Sequence, residues 1–222
     1  ATSNRRVAKP KLPAPEDLQR IGPGEMTAAA TKWAEMLKSR GISLETAERN
    51  GLAVQSVYSP IASGYVDALC FPYMRDGELI NIKYRGPDKT FWQVKGAEKI
   101  LYGLDDVTGE EEVILVEGEM DKLALEEAGF KNVVSVPDGA PGKVKDGPTP
   151  APEEDKKYEY LWNCRAQLDT ISRFVIATDS DGPGQALSEE LARRLGKERC
   201  WRVTWPEGCK DANEALQKEG AD

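Results

Sequence analysis

The sequence reads as an α/β chain: a mainly parallel sheet with flanking helices, preceded by a smaller basic α+β lobe. Three observations carry that expectation. From Glu111 onward short apolar runs alternate with amphipathic stretches, the rhythm of βαβ crossovers. Upstream, two β-like runs flank Arg75-Asp76-Gly77-Glu78, a hairpin signal. The charge also divides. Residues 1–104 hold 15 basic and 11 acidic side chains and residues 105–222 hold 15 and 27, so a net charge of −8 splits into +4 and −12. We therefore expect a tail or linker over 1–24, a basic lobe over 25–104 and an α/β unit over 105–222, within a length of 222 residues that can bury a real core.

Each element has its own signal. Residues 1–24 carry Pro10, Pro13, Pro15 and Pro23 with few apolar residues, which reads as an extended linker. Residues 27–40 form a helix that puts Trp33, Met36 and Leu37 on one face and stops at Gly41. Residues 44–49 form a second, with Ser43 as N-cap and Gly51 as stop. Residues 66–73 and 79–85 are the arms of the hairpin, and 86–103, basic and aromatic, hold short strands and exposed loops. The α/β unit opens with a buried strand at 112–117 and a helix at 119–128 ended by Gly129, followed by a strand at 132–136. Five prolines mark 137–155 as a loop insertion. A helix at 158–170 turns Tyr160, Leu161 and Leu168 inward. A third strand at 174–178, a helix at 185–195 ended by Gly196, a fourth strand at 200–205 and a helix at 211–218 complete the chain. No internal repeat is visible.

Composition excludes several chemistries. With no histidine there is no Ser-His-Asp or Cys-His machinery and no imidazole metal ligand. The four cysteines, Cys70, Cys164, Cys200 and Cys209, include no CxxC pair, so no zinc is expected, and their scarcity suggests a reducing compartment. No run approaches the apolar length of a membrane span. The chain begins at Ala1 without an apolar signal core, as in a processed form.

The chemistry concentrates in three acidic motifs. Glu117-Gly118-Glu119-Met120-Asp121 closes the first strand of the α/β unit, Asp179-Ser180-Asp181-Gly182-Pro183-Gly184 the third, and Lys210-Asp211-Ala212-Asn213-Glu214 follows the fourth. The carboxyl ends of strands in an open α/β sheet border its binding crevice, so the three clusters point to one edge. Crowded carboxylates repel, and a divalent cation relieves that repulsion. Magnesium needs only a few of them because it keeps waters and substrate phosphates in its shell. Each motif also has a structural explanation: a DxDG turn, acids at a helix start, an N-cap at Asp211. The ordered trio at three strand ends is harder to explain that way.

This pattern resembles the Toprim domain, the metal-binding fold of bacterial-type primases, type IA and II topoisomerases and some nucleases. The resemblance makes Glu117 the glutamate after the first strand, and Asp179 and Asp181 the DxD after the third. Glu117-Gly-Glu-Met-Asp121 and Lys210-Asp-Ala-Asn213 resemble the primase branch of phage and organellar primase-helicases. Val136-Pro-Asp-Gly139 and Tyr158-Glu-Tyr-Leu-Trp162 resemble its plant Twinkle-type members. Asn81-Ile-Lys-Tyr-Arg-Gly86 and Ile100-Leu-Tyr-Gly103 carry the likeness into the basic lobe. What it implies is a DNA primase, a nucleotidyltransferase that copies single-stranded DNA into short RNA primers from NTPs with Mg²⁺ or Mn²⁺. Glu117, Asp179 and Asp181 would bind metal, with Asp121 and Asp211 as further ligands or supports. It also implies a mitochondrial or chloroplast setting, and a helicase domain in the same full-length protein or in a partner.

In the basic lobe Lys83 and Arg85, two apart on a strand, share a face. They, Lys89 and Lys95 are candidates to hold triphosphate or template, and Lys83 and Arg85 to act in catalysis beside Glu117. Trp92 is either a base-stacking platform or a core aromatic. The sequence holds no cysteine-rich zinc module and no GxxxxGK[ST] loop, which is what we expect either of a fragment of a primase-helicase or of a Toprim-only relative. The alternative function is a replisome module that binds single-stranded DNA with little or no priming. A DxDG phosphatase is disfavoured because its aspartate follows the first strand, and a nuclease or topoisomerase because the basic lobe resembles primases.

Overall fold

The computed structural model describes residues 10–221, so the first nine residues of the expected tail lie outside it. The N-terminal half is built on an antiparallel sheet of five strands, β1 (Gln19–Arg20), β2 (Ala53–Ser59), β3 (Gly64–Arg75), β4 (Glu78–Arg85) and β5 (Phe91–Gln93), in sequence order. The β3–β4 hairpin turns at Asp76 and Gly77, both at positive φ (54° and 75°), which matches the right-handed twist of the flanking strands. Neither β1 nor β2 was expected. β2 mixes Gln and Ser with apolar residues and is held by a seven-residue register with β3 rather than by its own propensity. Within the proline-rich segment Ile21 is fully buried, and its N–H donates to Leu52 O.

Two helices cover this sheet. α1 (Ala28–Ser39) is capped by Thr27, whose Oγ1 accepts from the Ala30 N–H, and buries Ala30, Trp33, Ala34 and Leu37, one stripe at helical spacing. α2 (Leu44–Arg49) is capped by Ser43 in the same way.

The C-terminal half is a four-stranded parallel sheet of β6 (Glu112–Val116), β7 (Val133–Ser135), β8 (Arg173–Ala177) and β9 (Cys200–Arg202), in the order β7-β6-β8-β9. α3 (Glu119–Glu127) follows β6, α6 (Gly182–Leu195) follows β8 and α7 (Ala212–Glu219) follows β9. The single helix expected over 158–170 is instead two short ones, α4 (Glu159–Asn163) and α5 (Arg165–Leu168). Contacts to an earlier segment flank the break: Asn163 Nδ2 donates to Lys99 O, and the buried Cys164 Sγ accepts the Leu101 N–H. α6 starts three residues earlier than its periodicity suggests, because Asp181 caps it and Pro183 fits its first turn. No helix among the described residues is long and apolar enough to cross a membrane.

One apolar core spans both halves, joining Leu37, Phe71 and Tyr73 to Leu115, Leu123, Phe174 and Leu187. Where the halves meet, the core contains charge. Lys122, fully buried, pairs with Glu126 and Asp106 at 2.8 Å each and donates to Asn50 Oδ1 at 2.6 Å. Arg49 reaches in from α2 to pair with the same two acids.

Candidate active-site cleft

The carboxyl ends of all four parallel strands open on one cleft of about 770 Å³, and the antiparallel sheet supplies the facing wall. Glu117, Gly118, Glu119 and Asp121 line it after β6, Pro137, Asp138 and Gly139 after β7, Asp179 after β8, and Lys210 and Asp211 after β9. Lys83, Phe91, Trp92, Gln93 and Lys99 line it from the other side. The cleft thus lies where strand topology places a binding crevice.

The carboxylates stand in mutual strain. Burial, and then the charges of Asp179 and Asp181, push Glu117 up to about 7; N–H groups of Ala140 and Asp179 pull it partly back. Its Oε2 is buried without a hydrogen-bond partner. Asp121 is pushed well above the usual carboxylate range by burial and then by Asp211 and Asp179, although its Oδ1 accepts the Asn213 N–H at 3.2 Å. Asp179 is raised by burial against the pull of Lys210. Lys210 Nζ lies 3.3 Å from Asp179 and 3.4 Å from Asp211, so a side-chain cation already bridges two of these acids.

This donor set suits a hard divalent cation. All the candidate donor atoms are carboxylate oxygens, one of them orphaned and buried, and burial together with neighbouring like charges raises Glu117, Asp121 and Asp179. Among the described residues no three of these carboxylates converge as a ready-made cage. An ion that keeps most of its waters needs only one or two.

Local structure explains the positions. Gly184 packs so tightly on the DxD turn that a Cβ there would come within 2.1 Å of Asp179 O, so only glycine lets α6 start under Asp179. Asp181 does not line the cleft. It caps α6, its Oδ1 accepting the Gly184 N–H at 2.9 Å, and its charge still reaches Glu117. Asp211 caps α7 while lining the cleft.

Of the predicted basic residues, only Lys83 reaches the cleft, and it is not free. Its Nζ pairs with Glu119 at 2.8 and 3.1 Å, and Glu119 also accepts the buried Tyr73 hydroxyl at 2.5 Å. Arg85 is buried beside the cleft, its Nε without a partner; burial, and then the nearby Arg40, lower its pKa. Lys89 sits on the exposed turn before β5 at φ 63°, and Lys95 is exposed beyond it; neither lines the cleft. Trp92 lines the cleft, but one ring face stacks on Tyr84 at 5.4 Å. Sequence reasoning missed Glu119 as the partner of Lys83, Lys210 as an internal cation, and Lys99, which pairs with Asp138 at 2.6 Å. It also missed Arg40, whose guanidinium meets Asn213 Oδ1. Lys210 opens the Lys210-Asp211-Ala212-Asn213-Glu214 motif, where its charge among acids is the signal of a counter-ion.

Residues 111–204 match the Toprim domain family. The chain is 53% identical over 187 residues to the Twinkle homolog protein, chloroplastic/mitochondrial, of Arabidopsis thaliana, covering 82% of this chain and 26% of that protein. It is 51% identical over 191 residues to the Primase homolog protein of the same plant, covering 84% of this chain and 55% of that one. The chain thus spans about a quarter and about half the length of these two relatives. The primase fragment of the bacteriophage T7 primase-helicase protein superposes with a TM-score of 0.63 at 26% identity, over 82% of this chain and 69% of that one. The DnaG primase catalytic domain bound to ssDNA has the same fold, with a TM-score of 0.61 at 19% identity over 88% and 70%. The chain is a Toprim-domain protein of primase-type fold, related over most of its length to the plant Twinkle and primase homologues.

Proposed function

We propose that the chain is the primer-synthesising part of an organellar DNA primase, a nucleotidyltransferase that copies single-stranded DNA into short RNA from NTPs. The observation that carries this reading is the cleft itself, in which raised carboxylates at the ends of the parallel strands face a wall of Lys83, Lys99 and two aromatic residues across a space of about 770 Å³. In the reaction the 3′-hydroxyl of a template-paired nucleotide attacks the α-phosphate of an incoming NTP, and pyrophosphate leaves. A divalent cation, Mg²⁺ or Mn²⁺, bound through Glu117 and Asp179 with help from Asp121 and Asp211, would supply the positive charge that phosphoryl chemistry requires. Asp181 acts at one remove, by holding the turn and adding to the field.

The chain's own groups have distinct tasks. Glu117, half-buried and with an unpartnered Oε2, serves either as that metal ligand or as the base that takes the proton of the attacking hydroxyl. Lys83, held by Glu119, presents a fixed positive charge to the phosphates. Arg85 and Arg40 attract the anionic backbone or triphosphate, while Lys89 and Lys95 meet template outside the cleft. A helicase, in the same full-length protein or as a partner, would deliver the strand. The chloroplastic/mitochondrial name of one relative supports an organellar setting.

A second reading, a module that binds single-stranded DNA without priming, draws on one observation: Lys210 already neutralises part of the acidic site. Incubation with single-stranded DNA, labelled NTPs and Mg²⁺ or Mn²⁺ separates the two. Short RNA products that vanish in Asp179→Asn and Glu117→Gln variants, with the fold retained, support the primase. DNA binding without products supports the second reading, cleaved DNA points to a nuclease, and normal priming by the variants defeats the site assignment.

A further inference from the structure

Phe91 is the odd residue of the cleft. It is a large apolar side chain on the edge strand β5, it lines a space otherwise walled largely by charge, and 45% of its surface is exposed. Leaving an aromatic ring in water is unfavourable, and two other exposed rings, Tyr58 and Tyr65, reduce that cost by packing edge to face on the β2–β3 hairpin. Phe91 has only cations. Lys83 Nζ lies 5.4 Å from its ring centroid and Arg85 5.7 Å, on the side of the sheet that all three share. Those cations are themselves held in place, Lys83 by Glu119 and Arg85 by burial. The neighbouring Trp92 points to the other face and has one ring face covered by Tyr84.

We propose that Phe91, rather than Trp92, is the platform on which a nucleobase stacks in the cleft, with Lys83 at the cleft wall to meet the phosphate attached to it and the buried Arg85 adding positive charge from behind. Every base has a π-face, so such a contact binds nucleotides without selecting among them, and the flanking cations supply the charge half of the same ligand. The base belongs either to a nucleoside triphosphate or to a DNA strand. The inference rests on reading the cleft as a nucleotide site.

The test measures binding, not primer synthesis. The full chain and its Phe91→Ala and Phe91→Trp variants are titrated, by fluorescence anisotropy, against a labelled thymidylate oligonucleotide, the same oligonucleotide with abasic sites, and labelled ATP. Phe91→Ala should weaken binding of at least one base-bearing ligand by roughly 10-fold, Phe91→Trp should restore it, and the abasic strand should not distinguish the variants. Loss confined to ATP assigns the platform to the triphosphate, and loss confined to the strand assigns it to DNA. If the unaltered chain binds these ligands and Phe91→Ala binds them equally well, the platform is overturned while the primase reading stands. If the unaltered chain binds neither ligand, both fall.

Discussion

In the folded chain the Glu117 carboxyl is pushed up from 4.5 to about 7, because burial disfavours its charge and because ionising it adds a negative charge beside Asp179 and Asp181. An acid whose pKa rises on folding leaves stability untouched below its unfolded value and erodes it as pH climbs through the folded one. Between pH 4.5 and 8, in buffer stripped of divalent cations, Glu117→Gln should therefore become progressively more stable than the unaltered protein. The gain should reach about 1–2 kcal/mol after allowance for solvent screening. Thermal unfolding at the two ends of that range checks it; equal differences at pH 4.5 and pH 8 would remove the electrostatic explanation. The residues that create this conflict were readable. Glu117, Asp179 and Asp211 announce themselves by position after the first, third and fourth strands of the parallel sheet. Their partners do not: Lys83 and Glu119 are 36 residues apart and meet only because two sheets face each other.

Among the elements, α6 shows how one residue serves two ends. Asp181 belongs to a metal-type motif and caps a helix of 14 residues. Substitution separates the roles, because asparagine caps about as well as aspartate while alanine does not. Asp181→Ala should cost about 1 kcal/mol, a fall of roughly 2–4 °C in Tm for a chain of this size. Asp181→Asn should melt within a degree of the unaltered protein. If both variants fall equally, the charge rather than the cap holds the turn. Most elements with strong periodicity were legible, including α1, the β3–β4 hairpin and every parallel strand. β2 was not, since its polar residues break the apolar run and its pairing partner lies beyond local sequence. The helix expected over 158–170 failed for a related reason: contacts from Asn163 and Cys164 to residues 99–101, some 60 positions away, flank its break.

At the scale of the molecule, the charge boundary near residue 105 marks a change of composition but not of core. The buried network of Arg49, Asn50, Asp106, Lys122 and Glu126 sits where the two sheets join. Burial alone would raise the Glu126 carboxyl, but hydrogen bonds from Arg49, Lys122 and Asn50 outweigh it and hold it near 2. A depressed acid contributes stability that is complete above its unfolded pKa and lost as pH falls through the folded one. Acid titration from pH 4.5 to 2 should therefore weaken the whole fold in one transition. Arg49→Met should lower stability at pH 6 by about 2 kcal/mol and show a shallower decline on acidification. Urea unfolding across that range reads both, and an unchanged acid slope would place the stability elsewhere.

The last helix closes against the first. Asn213 of α7 donates to Arg40 O at 2.9 Å and gives its backbone N–H to Asp121, while Gln217 Nε2 reaches Ser39 O at 3.1 Å. These contacts span up to 178 residues of chain. Removing α7 would therefore take from Asp121, a cleft carboxylate, its backbone partner, while every strand that frames the cleft stays in place.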